Sequence, residues 1–178
     1  MSQPILPIAD MSQRHHGLTD SIAEHWTEGA RVCLDRHHCS PVDFTIGWDA
    51  DQLNALAIWS STDERIKNAW ANTTDATEAG AYACVLAAVE LMGPLVAVRR
   101  AETETGADYY VAPLDATPHD WERFIRLEVS GVDSGNAATI SRRLNDKLQQ
   151  AASGNSNLPA MAGVVGFQSK LIRLGKVE

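Results

Sequence analysis

LVAVRRAETETGADYYVAPLDATPHDWERFIRLEVSG, residues 95–131, is the stretch whose reading decides the fold. Apolar and β-branched side chains fill Leu95 to Val98 and Tyr109 to Val111, and the polar run Glu102 to Gly106 between them has the composition of a turn. The pair therefore reads as a β-hairpin. A third strand follows from Phe124 to Gly131, where Phe124, Arg126, Glu128 and Ser130 fall on one face and Ile125, Leu127 and Val129 on the other. One face is expected to feed the core, while the other gathers Arg, Glu and Ser. Asp108, opening the second strand, and Glu128, on the third, are thereby expected on one surface.

Working outward, the Ala-rich segment that begins at Asp75 and runs to Met92 reads as a helix stopped by Gly93-Pro94, with Val85, Leu86, Val89 and Met92 burying one side. Glu78 sits one turn before Tyr82, near that stripe. Beyond the hairpin and third strand, Asn136 can cap a helix running to about Ala152, with Ile140, Leu144 and Leu148 on its apolar side and Arg143 and Lys147 flanking it. SGNSNLP, residues 153–159, is a connector, and Gly163 to Ile172 reads as a buried strand with a partner in the last residues.

Toward the N-terminus, a helix capped by Thr19 or Asp20 is expected to reach about Arg36, with Ile22, Trp26, Cys33 and Leu34 inward. Val42 to Trp48 alternates as a strand. Ala55 to Trp59 fits a short strand or a helical turn, and Thr62 to Ala71 a helix. The first sixteen residues, rich in Pro, Ser and Gln, read as a poorly ordered arm.

The chain has 178 residues and three cysteines, which suits a single domain with reduced thiols rather than a disulfide framework. No long uncharged apolar run suggests a membrane span, and MSQPILPIADMSQRHH lacks the basic and apolar regions of a signal peptide, so a cytoplasmic protein is expected. Through Pro94 there are 5 Lys and Arg against 13 Asp and Glu, which accounts for the whole net charge of -8. An acidic chain has no general attraction to nucleic acid, so such binding would need a local basic patch, for which the second half supplies Arg99, Arg100, Arg126, Arg142, Arg143, Lys147, Lys170, Arg173 and Lys176. Alternatively these are solvated charges, and the acidic first half is a docking face for a basic protein partner.

From Asp75 onward the order is helix, strand, strand, strand, helix, strand, with acids at Glu78, Asp108 and Glu128. This order resembles the core of the PD-(D/E)XK phosphodiesterase superfamily, the restriction-endonuclease-like fold. The resemblance implies an α/β (α+β) domain whose central mixed sheet is flanked by helices, with residues 75–178 as a nuclease-like core and the preceding residues as an extension. It implies that Asp108 and Glu128 hold a divalent magnesium or manganese ion and that Glu78 is an accessory acid. Ser130 stands where the family's lysine usually follows the acid, and Lys147, on the following helix, is the residue placed to replace it. Arg126 and Arg143 would contact phosphates of a nucleic acid.

Each of these residues also has a structural reading. Asp108 fits a turn leading into a strand, Glu128 a salt bridge to Arg126 or Arg143, and Glu78 an acid favoured by the helix dipole. Cys33, His37, His38 and Cys39 contain zinc-binding residue types, but Cys33 is on the inward helix face and no second pair completes a site, which favours a partly buried thiol and surface imidazoles. Tyr109, Tyr110 and Trp121 are either base-stacking or core residues. Two function classes follow: a metal-dependent nuclease, intact or degenerate, and a non-catalytic interaction protein such as an immunity or regulatory subunit. A homodimer suits either.

Overall fold

The computed structural model describes residues 2–178. Seven strands, numbered in chain order, form one sheet: β1 (Val42–Trp48), β2 (Asp51–Ala57), β3 (Leu95–Arg100), β4 (Tyr109–Pro113), β5 (Ile125–Val132), β6 (Ala160–Gly166) and β7 (Leu171–Lys176). Their spatial order is β2-β1-β7-β6-β5-β4-β3. Neighbours are antiparallel except β1 with β7 and β5 with β6, so the sheet is mixed. Helices α1 (Asp20–His37), α2 (Glu64–Ala69), α3 (Thr73–Met92) and α4 (Ala137–Ala152) complete the α+β architecture expected from the sequence. The parallel β5–β6 pair needs a long crossover, and α4 provides it.

The helices begin where side chains can satisfy their first amides. Thr19 caps α1, Asp63 caps α2, Asn72 caps α3 and Asn136 caps α4. In α1, Trp26, Cys33 and Leu34 are buried, whereas Ile22 in the first turn is exposed, because the covered stripe is set by contact with α3. That contact is close: a Cβ at Gly80 would stand 2.9 Å from the Ala30 backbone. Helix α3 was expected to bury one side. It is instead buried almost all round, from Ala76 to Val89, since α1 covers one side and the sheet the other.

The run Gly163 to Ile172 is two strands rather than one. Residues 167–170 turn, with Lys170 at a φ of 55°, and β7 folds back antiparallel on β6. Continuous hydrophobicity concealed the turn, because both strands are buried on both faces. Ala55 to Ala57 falls in a strand, β2.

Residues 2–16 are no loose arm. Leu6, Ile8 and Met11 are buried, and the segment forms a strap that touches both outer strands of the sheet. Leu6 N–H donates to Leu56 O of β2, and Gly17 N–H donates to Ala97 O of β3. The His15 ring is fully buried; its Nδ1 accepts the Ala97 N–H at 2.9 Å and its Nε2 lies 3.0 Å from Glu90 Oε2. Edge strands left open invite pairing with other chains, and the strap occupies part of each edge.

Neither face of β5 is solvated from Arg126 to Val129. Leu127 and Val129 pack in the main core, and Gly131 faces Thr77 of α3 so closely that a Cβ would lie 2.8 Å from its carbonyl oxygen. The opposite face, expected to be polar and accessible, is covered by α4, leaving Arg126 and Glu128 each 4% exposed. Both need partners there.

Candidate functional site

A difference in strand length creates the site. Strand β4 begins at Tyr109, opposite Leu127, but β5 continues to Val132. From Glu128 onward the β4-facing edge of β5 has no strand beside it. Asp108 ends the ladder: its N–H donates to Leu127 O at 2.8 Å, and its Oδ2 accepts the Val129 N–H at 2.8 Å. Between α3 and α4 this edge floors a cleft of about 610 Å³.

Glu78, Asp108, Glu128, Arg143 and Lys147 all line that cleft, together with Ser130. Of the six site residues expected from sequence, five are thus brought together from three separate elements and a loop. Lys147 Nζ donates to Glu128 Oε1 at 2.7 Å and to Gln150 Oε1 at 3.1 Å. The salt-bridge partner of Glu128 is therefore this lysine, not Arg126 or Arg143. Burial pushes the Glu128 carboxyl above its ordinary value, and the nearby Asp108 charge adds to the effect while Lys147 opposes it. Two carboxylates close enough to repel share one wall.

Arg126 is the correction. It lies beneath α4, where Nε and Nη2 donate to Leu158 O and Nη1 donates to Thr105 O and Ala151 O. Four of its five N–H groups are engaged, and the guanidinium ties the β3–β4 turn, the end of α4 and the connector into one unit. The phosphate-contact role expected for it is not open to it in this fold. Strict alternation along β5 put its side chain on the right face, but could not show that the face was roofed.

Tyr82, which was not expected there, and Arg100, named only as part of a possible basic patch, belong to the site. The Tyr82 hydroxyl donates to Asp108 Oδ1 at 2.8 Å, and its ring stacks on Trp26 with centroids 4.6 Å apart. Arg100 lies over the Tyr82 and Tyr109 rings at 5.2 and 4.9 Å and reaches within 3.6 Å of Asp108. Burial, then the Asp108 charge, raises the Tyr82 phenol, so it remains a donor. Its position i+4 from Glu78 was the only sequence signal.

The other expected features lie elsewhere. Tyr109 and Tyr110 are packed at 2% and 3% exposure and serve the core rather than base stacking. Trp121 is partly exposed, under Arg99. Cys33 is fully buried and its thiol is pushed up to about 11 by burial. His37 pairs with Asp133 and His38 with Phe167 O, while Cys39 is exposed. Among the described residues no group of three or more His, Cys, Asp or Glu side chains is arranged to hold a metal ion.

Two carboxylates can still suit one kind of ion. Magnesium keeps several waters and is commonly held by one or two carboxylates plus a substrate phosphate, rather than by an all-protein cage. Each Asp108 oxygen accepts one hydrogen bond and each has two lone pairs, so both retain capacity. Compared with protein-family models, curated proteins and solved structures, the chain matches none. Among the described residues no helix is long and apolar enough to cross a membrane.

Proposed function

We propose that the protein is a metal-dependent phosphodiesterase acting on nucleic acid, organised like a PD-(D/E)XK nuclease. One observation carries the reading: the Lys147 amine is 2.7 Å from Glu128, inside the cleft that also contains Asp108 and Glu78. A lysine from α4, the helix that follows β5, thus pairs with one of the two acids, which supports the reading.

Asp108 and Glu128 would hold the ion. When bound, magnesium would stabilise charge developing on the phosphoryl group and lower the pKa of a water. The protein's own groups supply position. Lys147 has two N–H bonds committed to Glu128 and Gln150 and a third free for a phosphate oxygen or the attacking water. Arg143 offers a cation on the same wall, and Glu78, opposite, can accept a hydrogen bond from water. Tyr82 and the Val129 N–H hold both oxygens of Asp108 and so fix its orientation. The three free cysteines support a cytoplasmic setting for this activity.

The test is hydrolysis of single- and double-stranded DNA and RNA with and without magnesium or manganese. Cleavage that requires the metal and is lost in Asp108→Asn, Glu128→Gln and Lys147→Met is expected. Activity unchanged by Asp108→Asn and Glu128→Gln together would falsify the assignment.

A second reading, a non-catalytic interaction protein, is favoured by a different feature. Asp10, Asp20, Glu24 and Glu28 surround a cleft of about 770 Å³ where the strap meets α1, an acidic surface suited to a basic partner. The placement of Lys147 against Glu128 weighs toward the enzyme.

A further inference from the structure

Helices α1 and α3 and the end of α2 enclose a cleft of about 570 Å³ beside the one that holds the acid pair. Its walls are aromatic. From α1, Trp26 stacks on Tyr82 of α3 with ring centroids 4.6 Å apart, and His25 lies 4.7 Å from the ring of Trp70 at the end of α2. Both indoles are almost wholly buried, so packing holds these rings in place. The rim is acidic: Glu28 Oε1 accepts the Trp70 Nε1–H at 2.7 Å, and Asp75 and Glu78 reach the cleft from α3.

Among the described residues no Lys or Arg lines this cleft, and none of its three acids forms an ion pair. Arg31, on the next turn of α1 from Glu28, is turned away to Ser60 O and Ser61 O, and Arg100 lies over the Tyr82 ring toward Asp108. Aromatic faces attract cations, and a planar guanidinium can lie on a ring while its N–H groups reach a carboxylate, a combination that the compact ammonium of lysine matches poorly. Glu28 is an acceptor already oriented for it, because Trp70 holds one carboxylate oxygen and leaves the other. Past Glu28 the acidic surface continues through Glu24 and Asp20 in the cleft beside the strap, so a segment carrying further positive residues would meet further acids. A small free cation would leave those acids unused.

We propose that this aromatic cleft is the socket for an arginine side chain on a basic segment of a partner protein, with the guanidinium on the indole wall and paired with Glu28. The assignment is independent of the phosphodiesterase reading. Glu78 and Tyr82 line both clefts, so the docked segment stands beside the acid pair.

The experiment compares a short lysine peptide having one central arginine with the same peptide carrying citrulline there, which keeps the shape and removes the charge. Binding is followed by NMR of the indole N–H signals, since that of Trp70 senses Glu28 directly. The arginine peptide is expected to move the Trp70 signal and to bind roughly tenfold more tightly than the citrulline peptide. Glu28→Gln, which keeps an acceptor for Trp70, and Asp75→Asn, at an exposed position, should each reduce that difference in protein shown by circular dichroism to be folded. Glu24→Gln, outside the socket, should weaken both peptides alike. Equal binding of the two peptides by the wild type, or a difference that survives both Glu28→Gln and Asp75→Asn, overturns the socket. N-acetyl-arginine amide binding as tightly as the arginine peptide overturns the protein partner and leaves a small cation as the occupant.

Discussion

Glu128 and Lys147 form an ion pair of 2.7 Å in which the carboxylate is almost wholly buried and the amine is at the wall of a cleft. Removing the amine leaves a desolvated carboxylate without its cation. Lys147→Met is expected to lower stability by about 1.5–3 kcal/mol, the range for a hydrogen bond to a charged group, and urea unfolding measures it. Glu128→Gln in the same background should recover part of the loss, because the uncompensated charge is then gone.

If Glu128 holds an ion as proposed, its elevated carboxyl should make metal affinity sensitive to acid. Protons compete with the ion at a higher pH than at an ordinary carboxylate, so magnesium binding should weaken as the solution is taken from neutral pH down through the Glu128 titration. Titration calorimetry at a series of pH values reads this. Glu128→Gln should bind more weakly throughout and lose that component of the pH dependence.

Tyr82→Phe keeps the ring against Trp26 but removes the hydroxyl from Asp108. Loss of about 1 kcal/mol of stability is expected. With the acid less firmly oriented, activity should fall further than saturation with metal can restore. Equal kcat in the variant and wild type at saturating magnesium would show that Asp108 needs no such support.

Arg126→Met should cost about 3 kcal/mol or more, since it strips donors from three buried or partly buried carbonyls. A phosphate contact behaves differently: its loss lowers the salt dependence of nucleic-acid binding. Arg143→Gln is expected to reduce that slope by about one, and Arg126→Met to leave it unchanged where the variant remains folded.

His15 makes the strap acid-sensitive. Because Nδ1 accepts the Ala97 N–H, the buried ring is neutral with its hydrogen on Nε2, toward Glu90. Burial lowers its pKa; Glu90 pulls the other way, and Arg14 and His16 add to the lowering. The folded state therefore takes up this proton less readily than the unfolded chain, which titrates near the ordinary 6.5. The stabilisation is complete above that value and is lost as pH falls through it toward the lower folded pKa. His15→Gln keeps an acceptor and a donor but does not titrate, so its stability should fall less than that of the wild type between pH 7.5 and 5.5.

What the sequence disclosed was mainly local. Thr19 and Asn136 announced their helices, and the polar turn between Val98 and Tyr109 announced the hairpin, because caps and turns depend on neighbouring residues. Lys147 was legible as a partner for Glu128 only through the resemblance in the order of elements, its spacing on α4 showing no more than that it flanks the apolar side. The strap was not, because its Pro, Ser and Gln content resembles a loose terminus, and what orders Leu6 and His15 is an edge at Leu56 and another at Ala97. Tyr82 and Arg126 were missed as structural supports for the same reason. Their roles are set by groups brought near them only by the tertiary fold, Asp108 for one and three carbonyl oxygens for the other.

Strand β7 is the last strand in the chain, yet it stands between β1 and β6. On the ribosome this imposes a wait. The β1–β2 hairpin leaves the exit tunnel early, and β3 to β6 can assemble behind it, but the two half-sheets have no strand to join them until Leu171–Lys176 has emerged. Until then each exposes an inner edge of unpaired amides and carbonyls, and those edges are where a nascent chain of this protein is open to chaperones and to pairing with another copy.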